Sequence, residues 1–127
     1  MFVYDSHVPG EALGEREYLF DEATLRQWLA LYPEDEDGDR MPAGMMAVVS
    51  MRAYSDILKP RPPGNVHAAQ TFTLLSPPRL GSVLTTRFSC RAKELKRERR
   101  WVWLHSETVH PDGSVAFTGD MGVIWAA

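Results

Sequence analysis

The sequence predicts an α+β domain, and three observations predict it. Apolar residues recur at helical spacing around Leu25, the segment from Gly44 to Asp56 is nearly free of charge, and strand-like alternation takes over from residue 66. Two helices followed by four strands imply an antiparallel sheet wrapped around the second helix. A chain of 127 residues fits one domain, read as 1–127, with a single core.

Residues 1–14 hold two glycines and a proline without periodicity and read as an N-terminal arm. Asp21 is the expected N-cap of the first helix. Leu25, Trp28, Leu29 and Tyr32 form its stripe, and Pro33 ends it. Glu34 to Asp39 then packs five carboxylates into six residues, a run that is solvated or paired. The central helix is expected over 42–58: Pro42 suits its first turn, and Pro60, Pro62 and Pro63 prevent its continuation. Turns are expected at Ser76-Pro77-Pro78 with Gly81, at Lys96 to Arg100, and at His110 to Gly113. Between them, Leu84, Phe88, Cys90 and Ala92 alternate with Thr85, Arg87, Ser89 and Arg91, giving a strand with one wet face. The last strand alternates Val115, Phe117, Met121, Val123 and Trp125, while Trp101 to Leu104 is apolar on both faces, as in a central or interface strand.

Composition excludes several classes. Hydrophobic residues make up 44% and charged residues 24%, ordinary for a globular protein, and a net charge of −3 offers no global attraction to nucleic acid or an anionic membrane. The longest apolar stretch is too short for a span, and the N-terminus has no signal-peptide pattern. One cysteine, Cys90, permits no internal disulfide, reads as a small core residue and suits the cytoplasm. No two histidines have close ligand spacing, so no metal is expected, and no nucleophile elbow, P-loop or dinucleotide fingerprint occurs.

From Phe20 to Trp125 a series of segments recurs in a recognisable order. These are the helix over 21–31, Pro42-Ala-Gly-Met-Met, His67-Ala-Ala-Gln-Thr-Phe72, Ser76-Pro-Pro-Arg-Leu-Gly81, and Phe117-Thr-Gly-Asp-Met-Gly-Val-Ile-Trp125. In this order the chain resembles a MaoC-type dehydratase domain, the hot-dog family that includes (R)-specific enoyl-CoA hydratases. The pattern from Gly64 is similar to the N-terminal, often non-catalytic half of two-hot-dog dehydratases. The resemblance implies a hot-dog fold, an acyl-CoA ligand with coenzyme A as part of the substrate, no further cofactor, and a paired assembly. The assembly is a homodimer or higher homo-oligomer, or a heterodimer with a catalytic MaoC-type chain. Active members carry Asp-x-Asn-Pro-x-His before the central helix. Here Glu34 falls at the aspartate position and Asp39 at the histidine position, with Asn-Pro and the histidine absent.

The candidate catalytic residues are therefore His67, Glu34 and Asp39. A carboxylate replaces an imidazole as an acid at neutral pH only when its pKa is raised, which clustered carboxylates favour; the competing reading is a solvated acidic loop. His67, with Asn65 before it and Gln70 after it, is either a site residue or a structural histidine, and His7 and His110 read as loop residues. Gly44 would let a thioester carbonyl approach the amides that open the central helix. Arg79, Arg87 and the run Arg91 to Arg100 offer charge for coenzyme A phosphates, or form a solvated hairpin tip; Trp101 and Trp103 read as buried at a sheet or subunit interface rather than as a nucleic-acid platform. Three functions stay open: a hydratase or dehydratase, a non-catalytic acyl-CoA-binding subunit, and a hot-dog thioesterase.

Overall fold

A computed structural model describes residues 1–126. The elements are β1 (Ala12–Leu19), α1 (Glu22–Leu31), α2 (Met45–Ile57), β2 (Val66–Leu74), β3 (Val83–Lys96), β4 (Arg99–Val109) and β5 (Val115–Trp125). The strands form one antiparallel sheet in the order β1-β3-β4-β5-β2, so β4 is central and β1 and β2 are edges.

Five strands stand where the sequence predicts four. β1 starts inside the expected arm, which therefore stops at Glu11, and the reason is visible in its side chains. Only Tyr18 of the eight is buried, so the strand has no apolar alternation of its own and is set by its ladder to β3. Gly14 within it gives room to Ile57, whose Cγ2 would lie 3.1 Å from a β-carbon there.

α2 lies across the inner face of the sheet. Met45, Met46, Val49, Ala53, Tyr54 and Ile57 form its buried stripe. At its start the stripe packs with Tyr18, Phe20, Leu25, Leu84 and Phe117, and toward its end with Phe88, Cys90, Leu104, Met121, Val123 and Trp125. The single sheet covers one side of this helix. Val48, Met51, Arg52, Ser55 and Asp56 line an open depression of about 460 Å³ on the uncovered side.

The helix ends are closed by side chains. Asp21 accepts from the Thr24 N–H at 2.9 Å and the Thr24 hydroxyl at 2.6 Å, bonds that hold its carboxyl below the usual range. At the end of α2, Arg61 donates to the Leu58 carbonyl at 2.6 Å while its guanidinium covers the Tyr54 ring. No described helix is long and apolar enough to cross a membrane.

Two further expectations change. His7, read as a loop residue, is fully buried, because the N-terminal arm folds back and packs it between the Phe2 ring, on which it stacks, and Trp125, which it meets edge-on. Trp101 and Trp103 lie half-exposed on the outer face of the sheet, since Val102 and Leu104 take the inward positions of β4.

Candidate functional site

The candidate residues fall at two ends of the molecule. Glu34, Asp39, Gly44 and Arg79 lie near the start of α2; Asn65, His67 and Gln70 lie near its end, where His67 stands opposite Val123. From His67 to Leu74 the strand runs about 20 Å. Arg87 belongs to neither end, since on the outer face it pairs with Glu15 at 3.0 Å and Glu107 at 4.0 Å.

A pocket of about 240 Å³ opens at the start of α2, lined by Asp35, Asp37, Arg40, Met41, Pro42, Ala43, Leu74 and Pro77. Its carboxylates are Asp35 and Asp37, not the expected pair. Glu34 is exposed in the short turn Pro33–Asp35, and Asp39 is held by Arg79 at 2.6 Å. Asp35 accepts from the Trp28 indole N–H at 2.8 Å, which leaves Asp37 as the pocket carboxylate without a side-chain partner among the described residues. Sequence spacing alone gives no way to choose among five neighbouring acids. The choice is made by Trp28, seven residues earlier, which pins Asp35 and so the turn.

Gly44 has a role in packing. A β-carbon there would stand 2.6 Å from Cζ2 and 2.9 Å from Cη2 of Trp28, so the indole occupies the space a side chain would need. The amides of Met45, Met46 and Ala47 already donate to the carbonyls of Pro42, Ala43 and Gly44 at 3.0–3.2 Å. The N–H groups of Ala43, at the pocket wall, and of its neighbour Gly44 remain as donors without a partner among the described residues. Gly44→Val is expected to destabilise the protein by about 1–3 kcal/mol through overpacking against Trp28. Urea unfolding of the variant checks this, and an unchanged midpoint contradicts it.

At the other end a bulge between His67 and Ala69 inserts one residue into β2. Residues three apart, which a regular strand sends to opposite faces, therefore share a face, and His67 Nε2 meets Gln70 Oε1 at 3.1 Å. Gln70 donates its own amide to the Thr71 carbonyl at 3.0 Å, which fixes Oε1 as acceptor and makes His67 Nε2 the donor. His67 Nδ1 is then left as a base with its lone pair free. Asn65 is committed elsewhere, its Oδ1 accepting from the Ala126 N–H at 2.8 Å.

No family model and no curated protein matches the chain by sequence. Solved structures do match by shape. A MaoC-like dehydratase from Rhodospirillum rubrum superposes with a TM-score of 0.81 at 14% identity, over 98% of this chain and 97% of that one. The chain has the hot-dog fold. The (R)-hydratase PhaJ1 from Pseudomonas aeruginosa matches this hot-dog at a TM-score of 0.73 and 18% identity, over 97% of this chain and 84% of that one. The HadBC complex of Mycobacterium tuberculosis, a 3R-hydroxyacyl-ACP dehydratase, matches at 0.70 and 13%, over 86% and 90%. At these identities the likeness establishes the hot-dog architecture, in which the sheet wraps one side of α2 and β2 is one of its two edges.

Proposed function

We propose that this chain is a MaoC-like hot-dog protein that binds an acyl thioester and carries hydratase or dehydratase chemistry in a side-by-side pair. The observation that carries the reading is the division of polar groups between the two ends of an open edge strand. The acidic pocket lies beside Leu74, the free imidazole base lies at the start of the same strand, and about 20 Å separates them in one chain. With the bulge counted, antiparallel pairing of two β2 edges about Gln70 sets His67 of one copy opposite Phe72 of the other, on the inward face that also carries Leu74, at the neighbouring strand's spacing of about 5 Å. Each pocket then gains an imidazole.

In that arrangement the thioester carbonyl faces the Ala43 and Gly44 amides, which stabilise the oxygen as charge develops on it. His67 Nδ1 takes a proton from a water that Asp37 holds, the hydroxyl adds to the β-carbon of the enoyl group, and the imidazolium so formed returns the proton to the α-carbon. Arg79 and Arg40 supply positive charge at the mouth for the phosphates of coenzyme A. The ligand is an acyl-CoA in the cytoplasm, where Cys90, buried and with its thiol pKa raised by burial, stays reduced.

A second reading follows from the acidic loop itself, which holds carboxylates but no imidazole. In it the chain binds the acyl ester without turnover and completes the tunnel of a catalytic hot-dog partner. Turnover of crotonyl-CoA by the purified chain, followed by loss of enoyl absorbance with free thiol read in parallel, separates these readings. Hydration supports the first, binding without turnover supports the second, and thiol release instead assigns a thioesterase.

A further inference from the structure

The outer face of the sheet carries a second constellation, at the opposite end of the molecule from the acidic pocket. Trp101 and Trp103 stack with ring centroids 5.5 Å apart and planes within 11° of parallel. Trp103 lies against Gly122, where a β-carbon would come within 2.6 Å of the ring, so that glycine lets the indole lie on the sheet. Among the described residues no further ring stacks on Trp101. A cavity of about 390 Å³ is lined by Trp101 together with Lys96, Arg97 and Arg99.

The charge around this cavity is uncommitted. Arg87 and Arg91 on the same face are paired with Glu15 and Asp120, whereas Lys96, Arg97, Arg99 and Arg100 make no ion pair among the described residues. Arg97 and Glu98 form the two-residue tip with φ of 52° and 64°, left-handed at both positions, where glycine or asparagine is the usual choice. Glu94 stands opposite Trp101 in the ladder, a carboxylate beside the ring.

We propose that this cavity binds a purine nucleotide. The base stacks on the open face of Trp101 as the third member of the row, the phosphates meet Lys96, Arg97 and Arg99, and Glu94 accepts from the ribose hydroxyls. Neither charge alone nor apolar surface alone fits the lining; an aromatic ring joined to an anion satisfies both. The site shares no residue with the pocket at α2, so it stands whether or not the acyl-thioester reading does. The nucleotide is either a free one or the adenine end of a coenzyme A molecule other than the one whose phosphates meet Arg79 and Arg40.

The test is a titration of the full chain with ADP, read by tryptophan fluorescence and by calorimetry. Saturable binding at one site is expected, weakened about tenfold or more by Trp101→Ala and by the double variant Arg97→Ala/Arg99→Ala, both at surface positions. Coenzyme A competing with ADP identifies the coenzyme as a source; ADP binding without that competition identifies a free nucleotide, and both support the site. Pyrophosphate binding as tightly as ADP, affinity unchanged in Trp101→Ala, or binding of a single-stranded oligonucleotide without binding of ADP each overturns it. A pantetheine thioester, which lacks the nucleotide, reports the α2 pocket separately.

Discussion

His67→Ala is expected to lower enoyl-thioester hydration by about 10²–10⁴-fold, the range for removing a general base. The side chain is exposed and its one partner is Gln70, so the same substitution is expected to leave the unfolding midpoint close to that of the parent chain. Because the loss falls on the chemical step, kcat drops while the affinity for a saturated acyl-CoA holds. Retention of full turnover in a folded His67→Ala protein contradicts the assignment. Gln70→Glu offers a second reading of the same contact. A carboxylate beside the ring favours the imidazolium, so the pH at which activity rises is expected to move upward.

The second large effect concerns stability and acid. His7 is fully buried with neither ring nitrogen hydrogen-bonded among the described residues, and burial, followed by the nearby Lys93 charge, lowers its pKa from 6.5 to about 4. Above pH 6.5 the ring is neutral in both folded and unfolded chains and contributes no pH dependence. Between 6.5 and about 4 the unfolded chain binds a proton that the folded chain does not, so stability falls as the pH is lowered, by about 3 kcal/mol across the window. Below that window the folded ring is protonated as well, and the loss levels off. His7→Phe keeps the aromatic contact with Trp125 and removes the titrating group. Denaturant unfolding as a function of pH is expected to show a flatter profile in this variant, and an identical profile contradicts the account.

Much of the architecture is legible in the sequence because periodicity and turn chemistry act locally. Asp21 and Pro33 bound the first helix, the turn clusters at Lys96 to Arg100 and His110 to Gly113 mark the two hairpins while Ser76 to Gly81 marks the crossover from β2 to β3, and the charge-poor segment after Pro42 becomes α2. β1 is not legible, since Glu15, Arg16 and Glu17 face solvent and the strand is specified by its pairing to β3 alone. The uncovered side of α2 and the outward Trp101 and Trp103 share one cause: the sequence shows that side chains alternate, not which face a single sheet leaves uncovered.

The site is less legible than the fold. That Asp37 rather than Glu34 or Asp39 faces the pocket depends on the Trp28 bond to Asp35 and the Arg79 bond to Asp39, contacts made across loops. That His67 shares a face with Gln70 depends on a bulge that no residue type announces. The sequence offers Gly44 as room for a ligand, and the structure gives that room to an indole. The signal that could have pointed there is Trp28 itself, a large ring on the stripe of α1 that needs a small residue to pack against.

The measurement that tests the paired site most directly is complementation between two inactive variants. His67→Ala and Asp37→Asn chains are purified separately, mixed, unfolded and refolded together, and assayed for crotonyl-CoA hydration. If each pocket takes its imidazole from the neighbouring copy, a mixed dimer holds one intact site, and the refolded mixture regains about a quarter of parental activity. If the mixture stays as inactive as its components while the refolded parent chain recovers, the site is not shared across β2, and the account of its chemistry is wrong.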